Sequence, residues 1–297
     1  MITLKTNKSQ VQIFPLLGGV LGDLKLYNGN KSLSILDSYQ SADDAVAKAV
    51  AKSHFLLPFP NRMKDGKYTF DGKSYQFPLN DTTLQHSLHG FLETIPMEII
   101  HQEATDIQAI VELKGSFNGL EYYPFPFDFH VKYTLTNSEL SIQTKIKNTG
   151  KTRMPIGFGW HPYFKLDTET VDVLKMQFPN CQSVEIDNRM IPTGKTMDYT
   201  AFSDLNSIGN TSLDNCFILN NTNSKKVAIT LQSKTTTLSV WQETDAFPYF
   251  QIYTPPHRQS IAIEPMTCNV DAFNNKNGLW ILESGEEKQV EFGIEMS

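Results

Sequence analysis

His161 stands in the run Gly157-Phe158-Gly159-Trp160-His161-Pro162-Tyr163-Phe164. Read as a strand from Ile156, this run puts Ile156, Phe158 and Trp160 on one face and Gly157, Gly159 and His161 on the other. Two glycines on the histidine's own face predict open space through which a ligand could approach. Pro162 has no N–H for a sheet ladder and predicts that the strand stops there. An imidazole so placed is a candidate acid or base, although a hydrogen-bonded core histidine would look the same. Ile261-Ala262-Ile263-Glu264-Pro265-Met266 follows the same logic. Ile261 and Ile263 share one face, Ala262 and Glu264 the other, and Pro265 predicts the strand end. Glu264 then either meets solvent or lines a pocket whose low polarity would raise its pKa and make it a usable general base.

Three further stretches carry groups that could bind a ligand. In Pro60-Asn61-Arg62-Met63, Arg62 offers a planar donor fork for hydroxyls, a carboxylate or a phosphate, or simply pairs with a nearby acid such as Asp65. His86-Ser87-Leu88-His89-Gly90 has metal-chelating HxxH spacing, but no Cys or third His lies nearby to complete a site. Hydrogen bonding by His89, with Gly90 letting the backbone approach a ligand, is the better use of that loop. In Leu213-Asp214-Asn215-Cys216-Phe217, Asp214 could accept bonds from a hydroxylated ligand or serve as ordinary turn chemistry before a strand.

The elements that must hold these groups are mostly strands. Tyr68-Thr69-Phe70 and Ser74-Tyr75-Gln76-Phe77 flank an Asp71-Gly72 turn and predict a hairpin, as do residues 127–136 and 140–147. Further strands are expected at 217–219, 227–231, 238–242, 250–253, 260–264 and 289–295. Helical periodicity is convincing only over 41–52, which opens with Ser and two Asp suited to a helix amino end. With no repeat or linker, the chain reads as all-β: one antiparallel β-sandwich domain over residues 1–297.

The totals exclude some functions. A net charge of −6 leaves no surplus of Lys and Arg for nucleic acid. No apolar run is long enough for a membrane helix, and the amino terminus lacks a signal-peptide plan. Cys181, Cys216 and Cys268 are odd in number and widely spaced, which fits a reducing cytoplasm better than disulfides or a zinc site. Edge strands permit a homodimer but are equally compatible with a monomer.

Taken together, Asn61-Arg62, Leu88-His89-Gly90, His161-Pro162-Tyr163-Phe164, Asp214-Asn215-Cys216-Phe217, and Glu264-Pro265 followed by Asp271-Ala272-Phe273-Asn274 resemble, in order and rough spacing, the motifs of the aldose 1-epimerases, or galactose mutarotases. The resemblance implies a large β-sandwich with a carbohydrate cleft and a cofactor-free interconversion of α and β anomers of an aldose. It further implies that Glu264 takes the proton of the C1 hydroxyl, that His161 protonates the ring oxygen, and that Arg62, His89, Asp214 and Asn61 hold the sugar. An ionised Glu264 and a protonated His161 near neutral pH would supply the pair. Gly159-Trp160 before the histidine, Pro162 after it, Met266 after Glu-Pro and Val270 before Asp271 depart from the galactose-type pattern and are closer to a divergent bacterial branch.

Two rivals share the fold and one does not need it. A hexose-phosphate 1-epimerase would need cations at the cleft mouth, for which Lys64, Arg153, Arg189 and Arg258 are candidates. A non-catalytic sugar-binding sandwich would keep Arg62 and Asp214 but has no use for both His161 and Glu264. A glycosidase would pair Asp214 with Glu264 and leave the histidine idle.

Overall fold

The computed structural model describes residues 1–39, 41–47, 51–166 and 170–297. Alternating sequences build it. In residues 127–136 and 139–148, every second side chain is buried, so both strands of this hairpin present one apolar face. They lie inside a nine-stranded sheet ordered Glu98–Ala104, Gln108–Phe117, Phe127–Thr136, Glu139–Asn148, Glu287–Met296, Thr237–Glu243, Lys226–Gln232, Lys175–Gln177 and Asn206–Ser207. A second sheet runs in the order Pro192–Tyr199, Cys181–Ile186, Asp214–Leu219, Tyr249–Tyr253, Ile261–Met266, Gly159–His161 and His54–Leu56, with Tyr163–Phe164 also pairing Ile261–Met266. All ladders among these strands are antiparallel. A smaller four-stranded sheet at the amino end begins with Ile2–Lys5 and Gln10–Phe14.

The two large sheets pack face to face. Phe292 of one sheet meets Trp160 of the other and Phe158 just before that strand, with ring centroids 5.3 and 6.0 Å apart. Trp160, Phe158, Phe217, Phe250, Ile252, Ile261 and Ile263 are fully buried in this layer. Each such side chain contributes about 2–3 kcal/mol relative to exposure. Because side chains alternate across a strand, burying these residues turns Asp214, Gln251, Glu264 and His161 to the opposite face, away from the core. Among the described residues, no helix is long and apolar enough to cross a membrane.

The hairpins at 68–77 and 127–147 form as expected. Four local expectations are corrected. The 157–164 strand is broken: residues 154–156 pair with 280–282, while Gly157 N–H donates to Pro58 O (2.7 Å) and Phe158 N–H to Thr267 Oγ1 (2.9 Å). Pro162 interrupts the strand without ending it, since Tyr163 and Phe164 pair with Ala262 and Ile261. Pro265 does not end its strand either: Ile261–Met266 runs through it, because the ladder to Tyr249–Tyr253 continues on both sides of the Phe250–Pro265 pair. Finally, the helix covers Ala42–Ala47, with Ser41 Oγ accepting the Asp44 N–H (3.1 Å). Residues 48–50 lie outside the described residues. Lys52 is not helical, since its N–H donates to the Tyr39 hydroxyl (3.0 Å) and its ammonium pairs with Asp37 (2.6 Å).

Candidate active site

On the outer face of the second sheet is a cavity of about 260 Å³. All six expected site residues, Asn61, Arg62, His89, His161, Asp214 and Glu264, line it. Period-2 alternation in neighbouring strands explains the convergence: Glu264 pairs in register with Gln251, Gln251 with Cys216, and His161 with His54. Asp214 and Asn215 open their strand and do not form a turn before it, so the turn reading gives way.

At the buried end, His161 Nε2 and Glu264 Oε1 are 3.4 Å apart. Glu264 is 1% exposed and His161 6%. Tyr163 stacks on the imidazole (4.9 Å, 27°), and His89 meets it edge-on (5.0 Å). Burial pushes His161 down to about 3, helped by His54, and lifts Glu264 well above the usual carboxylate range, with Asp214 adding to the rise and Arg62 opposing it. These directions oppose the expected imidazolium and carboxylate, because both charged forms lose hydration in the closed end of the cavity. His161 Nδ1 and Glu264 Oε2 are buried without a protein partner.

The rim is built from backbone strain and reciprocal bonds. Asn61 and His89 both have positive φ (56° and 66°), a region these residue types tolerate better than most. Asn61 N–H donates to His89 Nδ1 (3.2 Å), and His89 N–H donates to Asn61 O (3.0 Å). Burial, with His161 and Arg62 nearby, holds His89 well below the usual histidine value. Its Nδ1 is therefore the acceptor, and its Nε2 carries the proton. Asn61 Oδ1 accepts Arg62 N–H (2.8 Å) and Nη1 (3.4 Å), while Arg62 Nε contacts Asp81 Oδ2 at 3.4 Å. Arg62 thus pairs with Asp81, not Asp65. Across the cavity, Gln251 Nε2 donates to Asp214 Oδ1 (2.7 Å). Burial raises Asp214, with Arg62 and this bond pulling it back.

Several expectations change. Gly157 and Gly159 do not open space for a ligand: a Cβ on Gly157 would lie 2.4 Å from Cys268 Sγ, and one on Gly159 2.9 Å from Pro60 Cβ. Protein atoms fill that room. His86 is fully buried and engaged away from the cavity, accepting Asp65 N–H at Nδ1 (3.1 Å) with Nε2 3.0 Å from Arg189 O, so it does not chelate with His89. Among the described residues, no group of three or more His, Cys, Asp or Glu could hold a metal. Of the cations a phosphate would need, Arg153 pairs with Asp71, Arg189 with Asp65 and Arg258 with Asp172, and none of these, nor Lys64, lines the cavity. Gln251 and Tyr253 line it without having been singled out. Their signal was the apolar Phe250 and Ile252, whose burial sends Gln251 and Tyr253 to the other face.

A family profile described as aldose 1-epimerase matches residues 1–295. The Escherichia coli (strain K12) protein YihR is 31% identical over 247 residues, covering 80% of this chain and 77% of YihR. Galactose mutarotase of Rattus norvegicus is 26% identical over 176 residues, covering 55% of this chain and 50% of that protein. Among solved structures, a galactose mutarotase-like protein from Clostridium acetobutylicum has a TM-score of 0.87 at 20% identity, covering 99% of this chain and 94% of that one. A GalM/aldose epimerase homologue from C. elegans has a TM-score of 0.85 at 19% identity, covering 100% and 98%. At these identities the two structures establish the shared fold.

Proposed function

The chain belongs to the aldose 1-epimerase family, and from that premise we propose that it interconverts the α and β anomers of a free aldose by proton transfer alone. The observation that carries this reading is the His161–Glu264 pair, 3.4 Å apart at the buried end of a polar cavity. The pair holds one transferable proton. In the ligand-free cavity, burial favours Glu264 as its carrier. A bound sugar whose hydroxyls donate to the carboxylate, with Arg62 nearby, favours the form with the proton on His161.

Glu264 then accepts the proton of the C1 hydroxyl while His161 donates to the ring oxygen, and the C1–ring oxygen bond breaks to leave the open-chain aldehyde. Rotation about C1–C2 followed by closure returns both protons with the roles exchanged and yields the other anomer. Arg62 and the His89 Nε2–H are donors for the sugar's hydroxyl oxygens, and Asp214, held by Gln251, is an acceptor. A free aldose, not a phosphorylated one, is supported by the engagement of Arg153, Arg189 and Arg258 with carboxylates outside the cavity.

Polarimetry of freshly dissolved α-glucose, α-galactose and other aldoses tests the reading, with wild type beside His161→Ala and Glu264→Gln. Faster decay of rotation that both substitutions abolish is expected. No acceleration with any free aldose would overturn it.

A further inference from the structure

Outside the cleft lies a larger groove, about 590 Å³, lined by residues the proposed reaction does not use. Its walls come from the hairpin Lys67–Phe70 and Lys73–Gln76, the segment around Tyr122, and Asn274. We propose that this groove is a second carbohydrate site, for a neutral saccharide, separate from the cleft that holds the reacting aldose.

The chemistry of the lining carries the assignment. Tyr68 and Tyr75 stack on each other (4.9 Å, 20°), which makes a rigid aromatic wall, and the Tyr68 hydroxyl donates to Tyr122 O (2.9 Å). Tyr75 and Tyr122 stay half-buried, so apolar ring surface reaches the groove while each hydroxyl keeps access to water. That combination suits the apolar C–H face of a pyranose with hydroxyls around its edge. The polar groups are arranged for the same ligand. Asn274 Nδ2 donates to Lys67 O (2.9 Å) and to Asp271 Oδ1 (2.7 Å), which leaves Asn274 Oδ1 as an acceptor. Gln76 Nε2 donates to Asp65 O (2.8 Å) and Phe77 O (2.9 Å), leaving Gln76 Oε1 in the same role. Lys67 and Glu121 bring one charge of each sign, so the lining has no net charge to recruit a phosphate or a cation. The volume falls in the range of small-molecule sites.

The groove is also wired to the cleft. Asp271 Oδ1 accepts Lys64 N–H (2.9 Å) as well as the Asn274 amide, and Asp271 N–H donates to Arg62 O (2.8 Å). Asn274 is thus linked through Asp271 to the segment that presents Arg62.

The test is calorimetric titration of maltotriose and cellotriose into wild type, Tyr122→Ala and Asp214→Asn, beside NMR of 13C-tyrosine-labelled wild type. A second site predicts that saccharide shifts the ring signals of Tyr68, Tyr75 and Tyr122 in the wild-type protein, and does so equally in Asp214→Asn. Tyr122→Ala weakens that binding about tenfold and leaves the mutarotation rate of monosaccharides unchanged. Ring signals that stay still with both trisaccharides, or binding that Asp214→Asn abolishes and Tyr122→Ala leaves intact, would overturn the proposal. Because the labelled wild type needs no substitution, a misfolded Tyr122→Ala would not blunt the test. A wild-type protein that binds saccharide here but shows no mutarotation would overturn the proposed reaction and not this site.

Discussion

Replacing Glu264 by glutamine separates two consequences of burying an acid. The carboxyl is 1% exposed, and burial lifts its pKa well above the ordinary 4.5. Between those two values, the folded protein keeps a proton that the unfolded chain has released. The free energy of unfolding then falls as pH rises, by about 1.4 kcal/mol per pH unit from this group alone. The contribution is fully present below 4.5 and is lost as pH rises through the folded value. Glutamine has nearly the same shape and no titrating proton, so the difference between variant and wild type isolates the term. Glu264→Gln should therefore gain on wild type by about 1.4 kcal/mol for each pH unit above 4.5 over which the folded carboxyl stays protonated. Even one such unit is a sizeable part of the 5–15 kcal/mol typical of a folded domain. The same change removes the proton acceptor and should slow anomer interconversion by about 10²–10⁴-fold. Urea unfolding of both proteins at several pH values, with polarimetry on the same samples, measures both effects. A stability difference that does not change with pH would refute the buried, protonated carboxyl. Undiminished activity would remove Glu264 from the reaction.

Two further outcomes follow from the geometry. Since burial holds His161 near 3, its imidazole should stay neutral in 15N NMR from about pH 8 down to about pH 4 in the ligand-free protein; titration near the ordinary 6.5 would refute the desolvated pair. Gly90 has φ +71° and a Cβ there would lie 2.1 Å from Leu57 O, which is held by the Phe91 N–H at 2.8 Å. Gly90→Ala should therefore lose more than about 2 kcal/mol, against about 1 kcal/mol for Gly72→Ala, where φ is +76° but nothing lies within 4 Å. Equal losses would show that backbone conformation, not the Leu57 contact, sets the requirement.

Much of the site was readable because alternation is local. Ile261 and Ile263 go to the core, so Ala262 and Glu264 cannot, whatever else the chain does. The same reasoning applied to Phe250 and Ile252 would have found Gln251 and Tyr253. Asn61, Arg62 and His89 were legible as motifs, though not the bonds between them, since the Asn61–His89 exchange joins two loops that meet only in the fold. Proline was a poorer guide. Its missing N–H removes a bond on one side only, and at Pro265 the ladder on the other side carries the strand through.

The sequence by itself determined the β-sandwich, the hairpins and the set of side chains that turn away from the core, because period 2 and turn chemistry depend on residues adjacent in the chain. Tertiary structure alone decided what surrounds each group. Cys268 and Pro60, brought from distant segments, fill the space beside Gly157 and Gly159. Asp71, Asp65 and Asp172 engage three arginines away from the cavity. Depth of burial, which no window of sequence reports, set the proton on the His161–Glu264 pair, because the hydration that charged forms lose depends on atoms contributed from the whole chain.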